Sequence, residues 1–231
     1  MTTTFITGAN KSLGHETARR LLEAGHTVVL GARDTERGQT AADALGARFV
    51  QIDVTDDASV AAAVADVAAH EGSIDVLINN AGVSSPYTPI EEQTVSDAAD
   101  VFAVNVLGVV RVTHAFLPLL RRSANPVVVN VSSGMGSFGA THDPDRVEST
   151  FPAPFYTSSK AALTMLTTQY AKSIPDVKFN AADPGYTATD FNHHSGPQTV
   201  TEGTDAIVEL ATIGVDGPTG VFRDRHGVAP W

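Results

Sequence analysis

Tyr156 and Lys160 lie four residues apart at the head of a stretch whose apolar residues, Ala161, Ala162, Leu163, Met165 and Leu166, continue as a helix would. On an α-helix, positions i and i+4 share a face, so a phenol and an ammonium group would project side by side. A neighbouring positive charge favours phenolate and lowers a tyrosine pKa from its usual ~10. Such a phenol exchanges protons near neutral pH. The spacing alone is weak evidence, because an exposed helix pair has the same pattern. It gains meaning if the chain also supplies a cofactor site and a donor for a reacting oxygen.

A cofactor site is legible near the start. Thr7 to Gly14 follows a short β-branched run and opens a helical pattern. Gly8 and Gly14 allow a tight turn and close approach of backbone to a pyrophosphate, with Asn10, Lys11, Ser12 and Leu13 between them. An ordinary strand–helix turn is the bland reading; the position before the first helix of an alternating chain favours the dinucleotide. In the second strand Ala32 stands where an acid would bind the ribose 2′-hydroxyl of NAD, and Arg33 follows. Arg33 and Lys11 can pair with a 2′-phosphate, so NADP(H) is favoured over NAD(H). Asp34 is either the ribose acid or, more simply, a helix cap. Asp53 and Val54 end the third strand and are placed to meet the adenine; Asp53 or Thr55 can equally cap the next helix. Asn80, Ala81 and Gly82 end the fourth strand, where small residues let the sheet edge approach a ribose.

These motifs need a frame. Strand patterns end at Ile6 and cover 27–30, 49–52, 76–78, 127–131 and 177–181, and helical patterns cover 13–24, 35–45, 57–70, 95–122, 156–173 and 200–213. Such alternation implies parallel strands with helices on both faces, a Rossmann-type doubly wound α/β sheet in a single domain spanning 1–231. Ligands of such sheets bind beyond the carboxyl ends of the strands, and every motif above follows a strand. Pro118 falls late in the fourth helix, and the irregular stretch 134–154 reads as a long loop before the Tyr156 helix.

Composition removes whole classes of function. The formal charge is −11, from 15 basic and 26 acidic residues, which disfavours nucleic acid and anionic membrane as partners. There is no cysteine, hence no disulfide, thiolate catalysis or cysteine zinc site. His193, His194 and His142 lack ligand spacing, so no metal is expected. No secretory signal pattern opens the chain and no unbroken apolar run reaches the ~20 residues of a membrane span, so a cytoplasmic location is expected.

With these residues in order, the chain resembles the short-chain dehydrogenase/reductase family, and within it the NADPH-dependent carbonyl reductases. The resemblance rests on the turn Thr7 to Gly14, Asn79 to Gly82, Asn105 within Asn-Val-Leu-Gly, Ser132-Ser133, Tyr156 with Lys160, and Pro184-Gly185. It implies a reductase of a ketone or aldehyde in which NADPH delivers hydride and Tyr156 donates the proton. It implies that Lys160 lowers the tyrosine pKa and binds the nicotinamide ribose, and that Ser133, rather than Ser132, donates to the carbonyl oxygen. It further implies that Asn105 completes a water relay to Lys160, and that Thr187 and Thr189, after Pro184 and Gly185, bind the carboxamide. Tyr87, Phe138, Phe151, Phe155, Tyr186 and Phe191 are candidate substrate contacts.

Two features depart from the family pattern. Ser12 replaces the middle glycine of the turn; its hydroxyl can bond a phosphate, while its Cβ is expected to crowd the cofactor modestly. The interval from Ser133 to Tyr156 is longer than usual, with the extra residues placed at 142–150; by analogy with the carbonyl reductases this fits a monomer, while a homo-oligomer is also compatible. The short segment 191–200 suggests an open pocket. A redox-sensing regulator that binds NADP without turnover is the alternative, but relatives of that kind lack the Tyr156–Lys160 pair. A nucleotide-sugar epimerase would need a larger C-terminal domain than the residues after Gly185 allow.

Overall fold

The computed structural model describes residues 1–231. Eight strands form one sheet in the order β3-β2-β1-β4-β5-β6-β7-β8. They are β1 (Thr3–Thr7), β2 (Thr27–Ala32), β3 (Arg48–Gln51), β4 (Val76–Asn79), β5 (Val127–Val131), β6 (Lys178–Ala182), β7 (Phe222–Asp224) and β8 (Gly227–Val228). All pairings are parallel except the terminal β7–β8 hairpin. The last two strands escape the sequence patterns because three and two residues are too short to show a period.

Alternate residues of the central strands feed two cores. Phe5, Val29, Leu77, Val128 and Phe179 lie on one face, and Ile6, Leu30, Ile78 and Val129 on the other. This is the pattern of a parallel sheet buried on both sides, which explains the unbroken apolar strands. The first layer is covered by α3 (Asp57–His70) and α5 (Val109–Leu120), whose Phe116 ring sits 4.6 Å from that of Phe5. The second is covered by α1 (Ser12–Glu23), α2 (Thr35–Leu45) and α9 (Asp205–Ala211).

Several helix boundaries have local causes. Asp34 caps α2 by accepting from Arg37 N. Asp56, rather than Asp53 or Thr55, caps α3, because Asp53 Oδ1 is already engaged by the Thr55 N–H and hydroxyl. The pattern over 200–213 breaks into α8 (Val200–Gly203) and α9 at Thr204, where the Thr201 carbonyl accepts from Arg20 Nη1 and from the Thr204 N–H and hydroxyl in place of a continuing i+4 bond. One helical run, Val95–Leu120, is long and apolar enough by length and composition to cross a membrane, although Asp97, Asp100, Asn105, Arg111 and His114 interrupt it. It is a core helix here, with Val112, Phe116 and Leu120 fully buried. It consists of α4 (Val95–Phe102), a π-helical segment (Ala103–Gly108) and α5.

The stretch 134–154 is more ordered than its sequence suggests. It holds a 3-10 turn (Gly134–Gly136), α6 (Phe138–His142) and a second 3-10 turn (Val147–Thr150), ending at α7 (Pro154–Ser173). The order of strands reverses between β1 and β4, which opens a crevice at their carboxyl ends.

Candidate active site

Two cavities meet at that crevice. The larger, about 840 Å³, is lined by every residue that the sequence assigned to a dinucleotide: Gly8, Asn10, Lys11, Ser12, Leu13, Gly14, Arg33, Asp53, Val54, Asn80, Ala81, Gly82, Tyr156, Lys160, Pro184, Gly185, Thr187 and Thr189. The second, about 540 Å³, shares Ser84, Ser133, Tyr156, Gly185, Phe191 and Asn192 with it.

The turn after β1 is built for close approach. Gly8 has φ +63°, and a Cβ on Gly14 would fall 2.5 Å from Asn80 Nδ2 and 2.6 Å from the Gly8 carbonyl. Asn80 Nδ2 donates to the carbonyls of Thr7 and Gly8, tying β4 to the turn. Ser12 adopts φ +49°, so its departure from glycine acts through backbone strain as well as bulk.

At the β2 end the structure adds a residue the sequence did not single out. Arg37, on the first turn of α2, lines the cavity with Arg33 and Lys11. Its signal was present, since a residue four positions after Arg33 on a new helix can turn back toward the strand end. Asp34 spends one carboxylate oxygen on its cap, and the other lies 3.7 Å from Arg37 Nε. Lys11 Nζ lies 3.1 Å from Asp190 Oδ2, so a phosphate taken up there exchanges one anionic partner for another.

The side chains that the sequence nominates for chemistry are held from several sides. Asn105, fully buried in the π-helical segment, accepts from Val83 N and donates to Val83 O, both at 2.9 Å. Its Nδ2 also reaches Ser159 Oγ at 3.0 Å, and Ser159 Oγ donates to the Tyr156 carbonyl at 2.7 Å. The extra residue of a π-helical turn is a common device at functional sites. Ser132 is turned into the fold, where its hydroxyl meets Thr164 Oγ1 at 2.7 Å. Ser133 lines both cavities together with Tyr156, and its hydroxyl oxygen accepts from Met135 N at 3.2 Å.

One expectation is corrected. Lys160 Nζ does not reach the phenol in this state. It donates to the Val131 carbonyl at 2.8 Å and stands 5.7 Å from the centre of the tyrosine ring. Burial therefore pushes Tyr156 well above its ordinary value, against the pull of Ser133, and pushes Lys160 down to about 8.

Around the second cavity, Tyr87, Phe151, Tyr186 and Phe191 are in place, while Phe138 and Phe155 do not line it. Phe138 is exposed and stacks on His142 instead. The turn Val147–Thr150, which sequence comparison tied to assembly, supplies a wall of this cavity through Val147 and Glu148. Asp183, Glu148 and Gln93 line it too and were not anticipated. Asp183, just before Pro184-Gly185 at the end of β6, was the legible one.

A family model described as short chain dehydrogenase matches residues 2–199. The chain belongs to the short-chain dehydrogenase family. Among its relatives, the (−)-isopiperitenone reductase of Mentha piperita is 32% identical, with 96% of this chain and 95% of that protein covered. Their alignment runs over 299 positions for a chain of 231 residues, so the relative carries segments that this chain lacks. Salutaridine reductase from Papaver somniferum is similar in structure, with a TM-score of 0.85 at 28% identity and coverage of 97% and 100%. An NADPH-bound carbonyl reductase from chicken fatty liver gives 0.88 at 28%, covering 99% and 98%. This short-chain dehydrogenase is therefore an oxidoreductase of the carbonyl-reductase kind.

Proposed function

We propose that the chain, acting as one domain over 1–231, reduces a ketone or aldehyde with NADPH. The observation that carries this reading is the meeting of the two cavities at Ser133 and Tyr156, above Lys160. A carbonyl in the smaller cavity lies against both hydroxyls and beside the nicotinamide end of the larger one. When bound, the dinucleotide supplies the hydride that attacks the carbonyl carbon.

The residues do the rest. Ser133 donates a hydrogen bond to the carbonyl oxygen and stabilises the charge that develops there. Tyr156 gives its proton to that oxygen, and a phenol kept protonated by burial is ready to do so. Lys160 must swing from the Val131 carbonyl toward the ribose hydroxyls and the phenol for its charge to ease that transfer. Asn105 holds Val83 and, through Ser159, the first turn of α7. Thr187 and Thr189, both buried at the cavity wall, would take the carboxamide.

Arg33, Arg37 and Lys11 favour the 2′-phosphate, so NADP(H) is the proposed cofactor. The solved neighbours include an NADPH-bound carbonyl reductase and an alcohol dehydrogenase complexed with 5-hydroxy-NADP. The test is to follow oxidation of NADPH and NADH against aldehydes, diketones and quinones. Turnover that prefers NADPH is expected; turnover with NADH alone overturns the cofactor assignment, and none with any carbonyl overturns the reaction.

A further inference from the structure

The smaller cavity is chemically lopsided. Asp183 and Glu148 both close in on Gly134, the residue after Ser133. A side chain started at Gly134 would clash with Glu148 Oε1 and lie 2.8 Å from Asp183 Oδ2. Glu148 is matched from behind by Arg146, whose Nη2 sits 2.9 Å from Oε1, and Arg146 does not line the cavity. Asp183 is only 3% exposed. Its Oδ1 accepts from Gly185 N at 2.9 Å, Oδ2 faces the Gly134 backbone N–H, and no side-chain donor reaches either oxygen.

No lysine or arginine lines this cavity. Four aromatic side chains line it, Tyr87, Phe151, Tyr186 and Phe191, with the Phe151 and Tyr186 rings edge to face at 5.6 Å, and His193 lies against Tyr87 among polar residues such as Gln93 and Asn192. Asp183 forms no ion pair; it feels Lys160 and Arg146 only at longer range, and burial, with Glu148 and Asp224 adding like charge, has pushed it up to about 6. A cation entering the cavity would meet that carboxylate on one side and ring faces on the other. An anion would meet repulsion from Asp183 and Glu148 and no lysine or arginine on the wall.

We infer that this site takes carbonyl compounds carrying a positively charged amine, the ammonium lying between Asp183 and the aromatic wall while the carbonyl faces Ser133 and Tyr156. The inference rests on the carbonyl-reductase reading and adds the substrate class to it.

The test compares three acetophenones that differ only at the meta position: trimethylammonium, its neutral isostere tert-butyl, and carboxylate. With the NADPH-loaded enzyme, kcat/KM for the ammonium ketone is expected to exceed that of the tert-butyl ketone by about tenfold, with the carboxylate lowest. In Asp183→Asn, which keeps an acceptor for Gly185 N, the ammonium-to-neutral ratio falls to about one to threefold, and Glu148→Gln lowers it less. Equal treatment of the isosteres by the wild type, or a ratio that survives both substitutions, overturns the inference. Should Asp183→Asn fail to fold, Tyr186→Leu and the wild-type ratio carry the test. Calorimetric binding of the same three ketones separates the two readings. Selective binding of the cation without turnover removes the reductase and keeps the substrate class; turnover without discrimination does the reverse.

Discussion

Ser85 Oγ accepts a hydrogen bond from the Tyr156 backbone N–H at 2.9 Å, across 71 residues of chain. Helix α7 has no side-chain cap of its own, so a buried serine from the loop after β4 supplies one at the tyrosine itself. Asn105 holds the same loop two residues earlier, at Val83. The cofactor-side loop and the catalytic helix are thereby fixed to one another.

Ser85→Ala should therefore lower kcat by about tenfold while leaving KM for NADPH nearly unchanged, and should destabilise the fold by about 1 kcal/mol. Steady-state kinetics and urea unfolding read the two effects, and Ser85→Thr should restore much of both. A loss confined to stability would show that the bond is merely structural.

Removing the phenol oxygen isolates proton transfer. Tyr156→Phe should reduce kcat by about 10²- to 10⁴-fold with NADPH binding preserved, as read by fluorescence titration. Retention of full activity would refute the assigned role.

The charges at the β2 end should act on one cofactor only. Arg33→Ala combined with Arg37→Ala is expected to weaken NADPH binding by about 10- to 100-fold and to change NADH binding by less than about threefold. Kd values for the two cofactors, measured side by side at fixed ionic strength, decide it.

Lys160 gives the pH dependence. Its folded-state value of about 8 lies below the ordinary ~10.4, so it carries its charge below pH 8 and loses it above. The kcat/KM for carbonyl reduction should fall with a one-proton slope as pH rises through about 8, with Asp183 the carboxylate that opposes the shift. Unfolding between about pH 8 and 10 takes up a proton at this lysine, so its contribution makes stability rise with pH across that window. Lys160→Met should remove both trends.

Ser12 holds a left-handed backbone that a side chain disfavours by about 1–2 kcal/mol. Ser12→Gly should stabilise the protein by up to about 1 kcal/mol, the gain being trimmed by glycine's greater unfolded freedom. Thermal or urea denaturation measures it; a loss of stability would mean that the serine hydroxyl contributes more than the strain removes.

The alternation of strands and helices, the glycine turn, the missing acid at Ala32 and the Tyr156–Lys160 spacing were readable because each depends on residues close in sequence. Local hydrogen bonding and periodicity act over one turn or one strand, and α2 and α3 accordingly appear where their patterns place them. What could not be read depends on neighbours far along the chain. The break at Thr204 comes in part from Arg20, the cap of α7 from Ser85, and the short strands β7 and β8 from a sheet edge waiting to be paired. The aromatic candidates divided for the same reason: Phe138 and Phe151 look alike in sequence, and only the course of the segment between Ser133 and Tyr156 puts one in solvent and the other in the cavity.

Sequence by itself determined the family and the doubly wound sheet, and singled out the groups proposed to handle the proton, because those rest on residue type and short spacing. Tertiary structure alone decided where Lys160 points, which aromatics line the smaller cavity, and that Asp183 stands among them with no lysine or arginine on the wall. Electrostatics and burial depend on distance in space, and no local pattern encodes the distance between Gly134 and a carboxylate at the end of β6.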